Sequence, residues 1–208
     1  ATRNISAGNI EVVVDTHHGG RIASLIYGTT PLLVTHAASD LDWGMYPMVP
    51  YAGRVRDAQL HFDNQMFSLR ANAAPHSIHG TVFDCTWNVD AHDTTSILLS
   101  TDTGPDWPFA ATVTHRIAIA ENSVRCELAI TAHELMPVQV GWHPWFAQPR
   151  QVDTSFHSML RRDSDGITTL ERVDPAAPPV DDCFFEPNAW PSIYIGNCVV
   201  EIASDCPY

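Results

Sequence analysis

Thr112-Val113-Thr114-His115-Arg116-Ile117-Ala118-Ile119, the polar pair Glu121-Asn122, and Val124-Arg125-Cys126-Glu127-Leu128-Ala129-Ile130-Thr131 decide the fold class. Apolar side chains return at every second position on both sides of the pair, the period of a strand with one buried face. Two such runs joined by a short polar turn predict a long antiparallel hairpin.

The same signals repeat in both directions along the chain. Ile10 to Val14 reads as the first strand, and Gln59 to Phe62 with Met66 to Leu69 reads as a hairpin around Asp63-Asn64-Gln65. Near the other end, Ile193 to Ile195 and Val199 to Ile202 flank the sharp turn signal Gly196-Asn197. Asp163 to Gly166 and the Pro-rich Val173 to Val180 read as surface connections, too short for domain linkers. Helical periodicity is nearly absent, so the expectation is an all-β chain, a sandwich or barrel of antiparallel strands. A length of 208 residues with 45% hydrophobic content suffices for one core, so residues 1–208 are expected to form a single domain.

Eleven basic against 24 acidic residues give a formal charge of −13, which repels nucleic-acid phosphates and anionic lipid headgroups. Neither nucleic acid nor a membrane is therefore expected as a partner. No stretch approaches the roughly 20 apolar residues of a membrane helix. The start at Ala1 shows no basic segment followed by an apolar run, which favours a cytoplasmic protein, although a cleaved export signal would leave the same start. Five cysteines, Cys85, Cys126, Cys183, Cys198 and Cys206, are an odd set without C-x-x-C spacing, and read as buried free thiols.

Eleven histidines leave three groups to weigh. His17-His18-Gly19-Gly20-Arg21 follows the first strand; paired histidines could bind a metal, but neighbours in an extended segment point to opposite faces, so a turn is the stronger reading. His76 and His79 stand three apart before Gly80, with no companion cysteine or carboxylate pattern. Gly141-Trp142-His143-Pro144-Trp145-Phe146 sets a histidine between two tryptophans and before a proline, which predicts an aromatic-flanked loop. Aromatic faces stack on the C–H surface of a sugar ring, and an imidazole exchanges protons near neutral pH. Taken alone, the hexapeptide reads equally well as core aromatics around a satisfied histidine.

Five segments then come in order: Tyr51-Ala52-Gly53-Arg54-Val55, His79-Gly80 with Trp87 behind it, Trp107-Pro108-Phe109, His143-Pro144-Trp145-Phe146, and Asp181-Asp182-Cys183-Phe184. The series, from about Gly8 to the last residue, resembles the aldose 1-epimerase (galactose mutarotase-like) family. The resemblance implies an antiparallel β-sandwich of the supersandwich kind, lacking C-terminal strands because the Ile193 to Tyr208 region reads as a strand pair cut at its end. It also implies an enzyme that interconverts the anomers of a small-molecule sugar with no metal and no organic cofactor. Arg54 occupies the arginine of a Tyr-Ala-Asn-Arg-Ile-like segment, His79 the histidine of a Leu-His-Gly-like segment, and His143 that of a His-Pro-Tyr-Phe-like segment. Asp181 fits the substrate-binding aspartate of an Asp-x-x-Phe-like segment better than Asp182 does. By this resemblance His143 is the acid toward the ring oxygen, His79 and Arg54 hydrogen-bond sugar oxygens, Asp181 anchors hydroxyls, and Trp145 supplies an aromatic face.

The departures are specific. Gly53 stands where many members have Asn and Trp145 replaces the usual Tyr, which points to a divergent sugar specificity. The family's base, a glutamate in a Glu-Pro-Gln-like segment well downstream of the aspartate, is not reached before Tyr208, and Glu186-Pro187 lies out of the family order. A form without that glutamate is expected to bind sugar but open it slowly, since an acid or base is worth about 10²–10⁴-fold. Three other readings use the same residues: a non-catalytic sugar-binding protein, a hexose-6-phosphate 1-epimerase drawing on Arg56 and Arg70, and a metal-dependent sandwich built on His76 and His79.

Overall fold

The computed structural model describes residues 1–177 and 183–205, which fall into two units, Ala1–Ala147 and Gln148–Tyr208. In the first unit, β1 (Thr2–Ala7), β2 (Ile10–Asp15), β3 (Arg21–Tyr27), β4 (Thr30–Pro31) and β5 (Met45–Met48) come first. Two short ladders follow, β6 (Arg54–Val55) with β9 (Ser77–Ile78) and β7 (Gln59–Phe62) with β8 (Gln65–Ser68). β10 (Asn88–His92), β11 (Ser96–Asp102), β12 (Ala111–Ala120) and β13 (Ser123–Ala132) then form a sheet in that order, and β14 (Gly141–Pro144) returns to pair with β5. The other large sheet therefore runs β1-β2-β3-β5-β14, with β4 on β3.

The decisive hairpin is present and slightly longer than expected, in unbroken register from Ala111↔Ala132 to Ala120↔Ser123. Its alternation is what buries Val113, His115, Ile117 and Ile119 along one face of β12. These meet Ile5, Ile10, Val12, Val14 and Ile22 of the first sheet, with Ile97, Leu99 and Trp87, in one apolar core. Two antiparallel sheets sharing a core make the expected all-β sandwich. Each fully buried Val, Ile or Leu contributes about 1.5–3 kcal/mol, which makes this core the main source of the unit's stability.

Three local differences from the sequence reading have simple causes. Ile10–Asp15 is preceded by β1, hidden in the sequence because only Ile5 of Thr2–Ala7 is buried. The turn after β7 is the two residues Asp63 and Asn64, with φ 49° and 57°, the positive pair favoured by tight hairpins. The segment read as an aromatic loop is strand β14, an edge strand with Pro144 as its last residue, and an edge is where a missing N–H is tolerated.

In the second unit, β15 (Gln151–Arg162), β16 (Thr168–Val173), β17 (Phe184–Ile195) and β18 (Cys198–Glu201) form an antiparallel sheet in the order β16-β15-β17-β18. The Gly196-Asn197 turn joins β17 to β18 as expected. β17 extends back to Phe184, and its pairing with β15 shifts register near Pro187, a break of the ladder that accommodates a proline. Cys85, Cys126, Cys183 and Cys198 are free and half-buried, and burial pushes the Cys126 thiol up to about 12. Among the described residues no helix is long and apolar enough to cross a membrane.

Candidate active site

β14 separates the sequence's aromatic hexapeptide by parity. Its even members turn to the core: Trp142 packs beside His115, and Phe146, just beyond the strand, packs against the core cluster. His143 and Trp145 stand on the other side. His143 pairs in register with Tyr46 of β5, and the two rings stack at 5.1 Å between centroids with 7° between planes. Trp145 stacks on the same imidazole at 5.4 Å and 28°. Trp142 and Phe146 thus follow the core reading of the hexapeptide, while His143 and Trp145 stand apart from that core.

The edge of His79 meets His143, with centroids 5.0 Å apart at 64°. His79 is placed by a reciprocal pair with Gly53: its N–H donates to the Gly53 carbonyl at 3.0 Å, and the Gly53 N–H donates to His79 Nδ1 at 3.2 Å. Because Nδ1 accepts, the ring proton of the neutral imidazole resides on Nε2. His79 holds φ 60°, an uncommon left-handed conformation for a histidine, and Gly80 follows at φ 82°. A Cβ on Gly80 would run into the Val49 carbonyl, so the glycine of the His-Gly pair is a packing requirement. Gly53 sits at φ 79° with open space where a side chain would project. Asn is the residue that most readily shares that conformation with Gly, which gives a backbone reason for Gly standing where many members have Asn.

Tyr46 and Trp145, the two plates around His143, are tied to one carbonyl. The Tyr46 hydroxyl donates to Leu41 O at 3.1 Å, and Trp145 Nε1 donates to the same oxygen at 2.6 Å. Burial pushes the Tyr46 phenol well above its ordinary value, so it is a neutral donor here. Trp145 keeps 36% of its surface exposed, leaving part of its ring open to a ligand.

Arg54 lies on β6, one residue after Gly53 and opposite Ile78 of β9, with its side chain exposed. The short β6–β9 ladder therefore brings Arg54 and His79 to one place from 25 positions apart in sequence. Asp181 lies outside the described residues. Glu186 is exposed and accepts from Arg172 Nη1 at 3.1 Å. His18 pairs with Asp15 at 2.9 Å in an exposed turn, where the Asp15 carboxylate also accepts from the His17 N–H. His76 Nδ1 accepts from the Asp57 N–H at 3.0 Å. Among the described residues no cluster of three or more His, Cys, Asp or Glu could hold a metal ion. The sequence reading passed over Tyr46 and the 39–44 segment, whose contribution is a backbone carbonyl and carries no side-chain signal.

A family profile described as Aldose 1-epimerase matches residues 4–184. The Escherichia coli protein YphB, itself uncharacterised, is 26% identical over 148 residues, 68% of this chain and 50% of YphB, so the chain spans about half the length of that curated relative. An Escherichia coli structure provisionally designated an aldose 1-epimerase superposes with a TM-score of 0.78 at 20% identity, covering 93% of this chain and 72% of the other. A galactose mutarotase-like protein from Clostridium acetobutylicum gives 0.72 at 15%, covering 92% and 73%. These two likenesses show the fold.

Proposed function

Because this chain belongs to the aldose 1-epimerase family, we propose that it interconverts the α and β anomers of a free hexose by acid–base ring opening and reclosure. The observation that carries the reading is the imidazole of His143, stacked between Tyr46 and Trp145 and met edge-on by His79. In this reading His143 donates a proton to the ring oxygen as the C1–O5 bond breaks, giving the open aldehyde. Rotation about C1–C2 and reclosure return the proton to His143. The exposed part of Trp145 takes the C–H face of the sugar, His79 donates from Nε2 to a sugar oxygen, and Arg54 and Asp181 hold hydroxyls. A base must also remove the anomeric hydroxyl proton, and none of the described residues is assigned to it. The same reading takes residues 1–208 as one cytoplasmic domain that acts without metal or organic cofactor.

The phosphorylated-substrate alternative loses one of its cations, since Arg70 is engaged by Asp84 at 2.8 Å and Asp106 at 3.4 Å. Polarimetry on freshly dissolved α-D-glucose and α-D-galactose, paired with calorimetric titration of the equilibrated sugars, tests the proposal. Mutarotation faster than the spontaneous rate is expected. Binding without acceleration would move the assignment to a carbohydrate-binding protein, and acceleration confined to hexose 6-phosphates would move it to the phosphate-specific enzyme.

A further inference from the structure

Arg21 ends the His17-His18-Gly19-Gly20-Arg21 segment, opens β3, and has no exposed surface. A buried guanidinium costs several kcal/mol unless its donors are met. Here four of its five N–H donors meet main-chain oxygens. Nε donates to His18 O at 2.7 Å, Nη1 to Asp40 O at 2.8 Å and to Trp43 O at 3.0 Å, and Nη2 to Phe83 O at 2.8 Å. Its flat face lies over Trp43 at 4.2 Å and over the Tyr46 ring at 5.1 Å. Burial pulls Arg21 below its ordinary value while the carboxylate of Asp40 pushes it back, and a guanidinium stays charged throughout.

Asp40 and Trp43 bracket Leu41. The carbonyl of Leu41 is the acceptor shared by the Tyr46 hydroxyl and the Trp145 indole, the two plates that enclose His143. One side chain thus fixes the segment on both sides of the oxygen that orients both plates. We propose that Arg21 is a positioning residue for the candidate active site, setting through the 40–43 segment the spacing of Tyr46 and Trp145 about His143. Of its two other bonds, the one to Phe83 O ties the same segment to the loop that follows Gly80, and the one to His18 O ties it to the turn before β3.

The catalytic consequence rests on the reading of His143 as an acid, whereas the geometric claim does not. Arg21→Lys retains the charge and loses the planar fork, so it cannot reach four carbonyls in their fixed directions. Misplacement by about 1 Å at a reacting group costs up to about 100-fold in rate. The variant is therefore expected to lower the kcat of mutarotation about 10–100-fold with KM within about threefold. Its Trp145 indole N–H resonance should shift and exchange with solvent at least about tenfold faster, while that of Trp107, in the separate cluster with Tyr51 and Phe109, stays unchanged. A folded Arg21→Lys protein with an unaltered Trp145 indole overturns the proposal. An altered indole in a protein whose wild type has no mutarotase activity leaves the positioning intact and removes only the assigned reaction. If the variant does not fold, the wild type alone decides. Once corrected for intrinsic rates, the Nε–H of Arg21 and the indole N–H of Trp145 should exchange in one opening step, within about threefold; a Trp145 proton at least tenfold faster refutes the link.

Discussion

β14 carries two histidine–tryptophan clusters, one on each side, built from nearly the same residue types. On the core side His115 is fully buried, its Nδ1 donates to Gly20 O at 3.1 Å, and its Nε2 accepts from Trp142 Nε1 at 3.1 Å. Both ring nitrogens are committed, so the neutral tautomer is fixed and burial pulls the imidazole down to about 4. On the other side His143 lies between the ring faces of Tyr46 and Trp145 and against the edge of His79. The difference teaches that the same residue types serve the scaffold where both nitrogens of an imidazole are committed inside the core, as in His115, and form the candidate site where the ring is stacked at a sheet edge, as in His143.

Removing each histidine in turn separates the two roles. His143→Gln is expected to lower kcat for mutarotation about 10²–10⁴-fold, measured by polarimetry, with a melting temperature close to the parent's. His115→Ala should do the reverse. It leaves a cavity and an indole N–H without its acceptor, a loss of about 2–5 kcal/mol in urea denaturation, with activity per folded molecule largely kept.

The next largest effect is on pH. Because His115 is held near 4 in the folded state against an ordinary 6.5, the unfolded chain takes up the proton first as pH falls. The contribution of neutral His115 to stability is whole above pH 6.5 and declines from there to about pH 4, by roughly 3 kcal/mol across the window. Denaturation midpoints at pH 7 and pH 4.5 check it; a His115→Gln protein should show a slope shallower by about one proton. A midpoint difference equal in both proteins would place the acid sensitivity elsewhere. Smallest of all is Gly53→Asn, expected to change stability by about 1 kcal/mol or less because Asn tolerates φ near 79°, whereas Gly53→Val should cost more. Thermal melts of the pair distinguish them, and equal melts would mean that the left-handed conformation is not what selects this residue.

Much of the sandwich was legible because β12 and β13 bury alternate residues, and alternation survives in the sequence whatever the partner strand is. β1 was not, since a strand with one buried residue leaves no period to find. β14 was obscured by Pro144, whose missing N–H argues against a strand until the strand is known to be an edge. In the site, Arg54, His79 and His143 could be picked out by the resemblance of their segments to one family. What could not be read is the frame around them. Leu41 contributes a carbonyl, and Arg21 works through four more, so neither has a side-chain pattern that marks it in advance.

The two hydrogen bonds between Gly53 and His79 carry a consequence for what can approach the cluster. With Nδ1 accepting from the Gly53 N–H, the neutral ring of His79 presents its N–H at Nε2. Any molecule that reaches this nitrogen must offer it a lone pair. Hydroxyl, ether and carbonyl oxygens qualify, while an ammonium group at the same place has none to give.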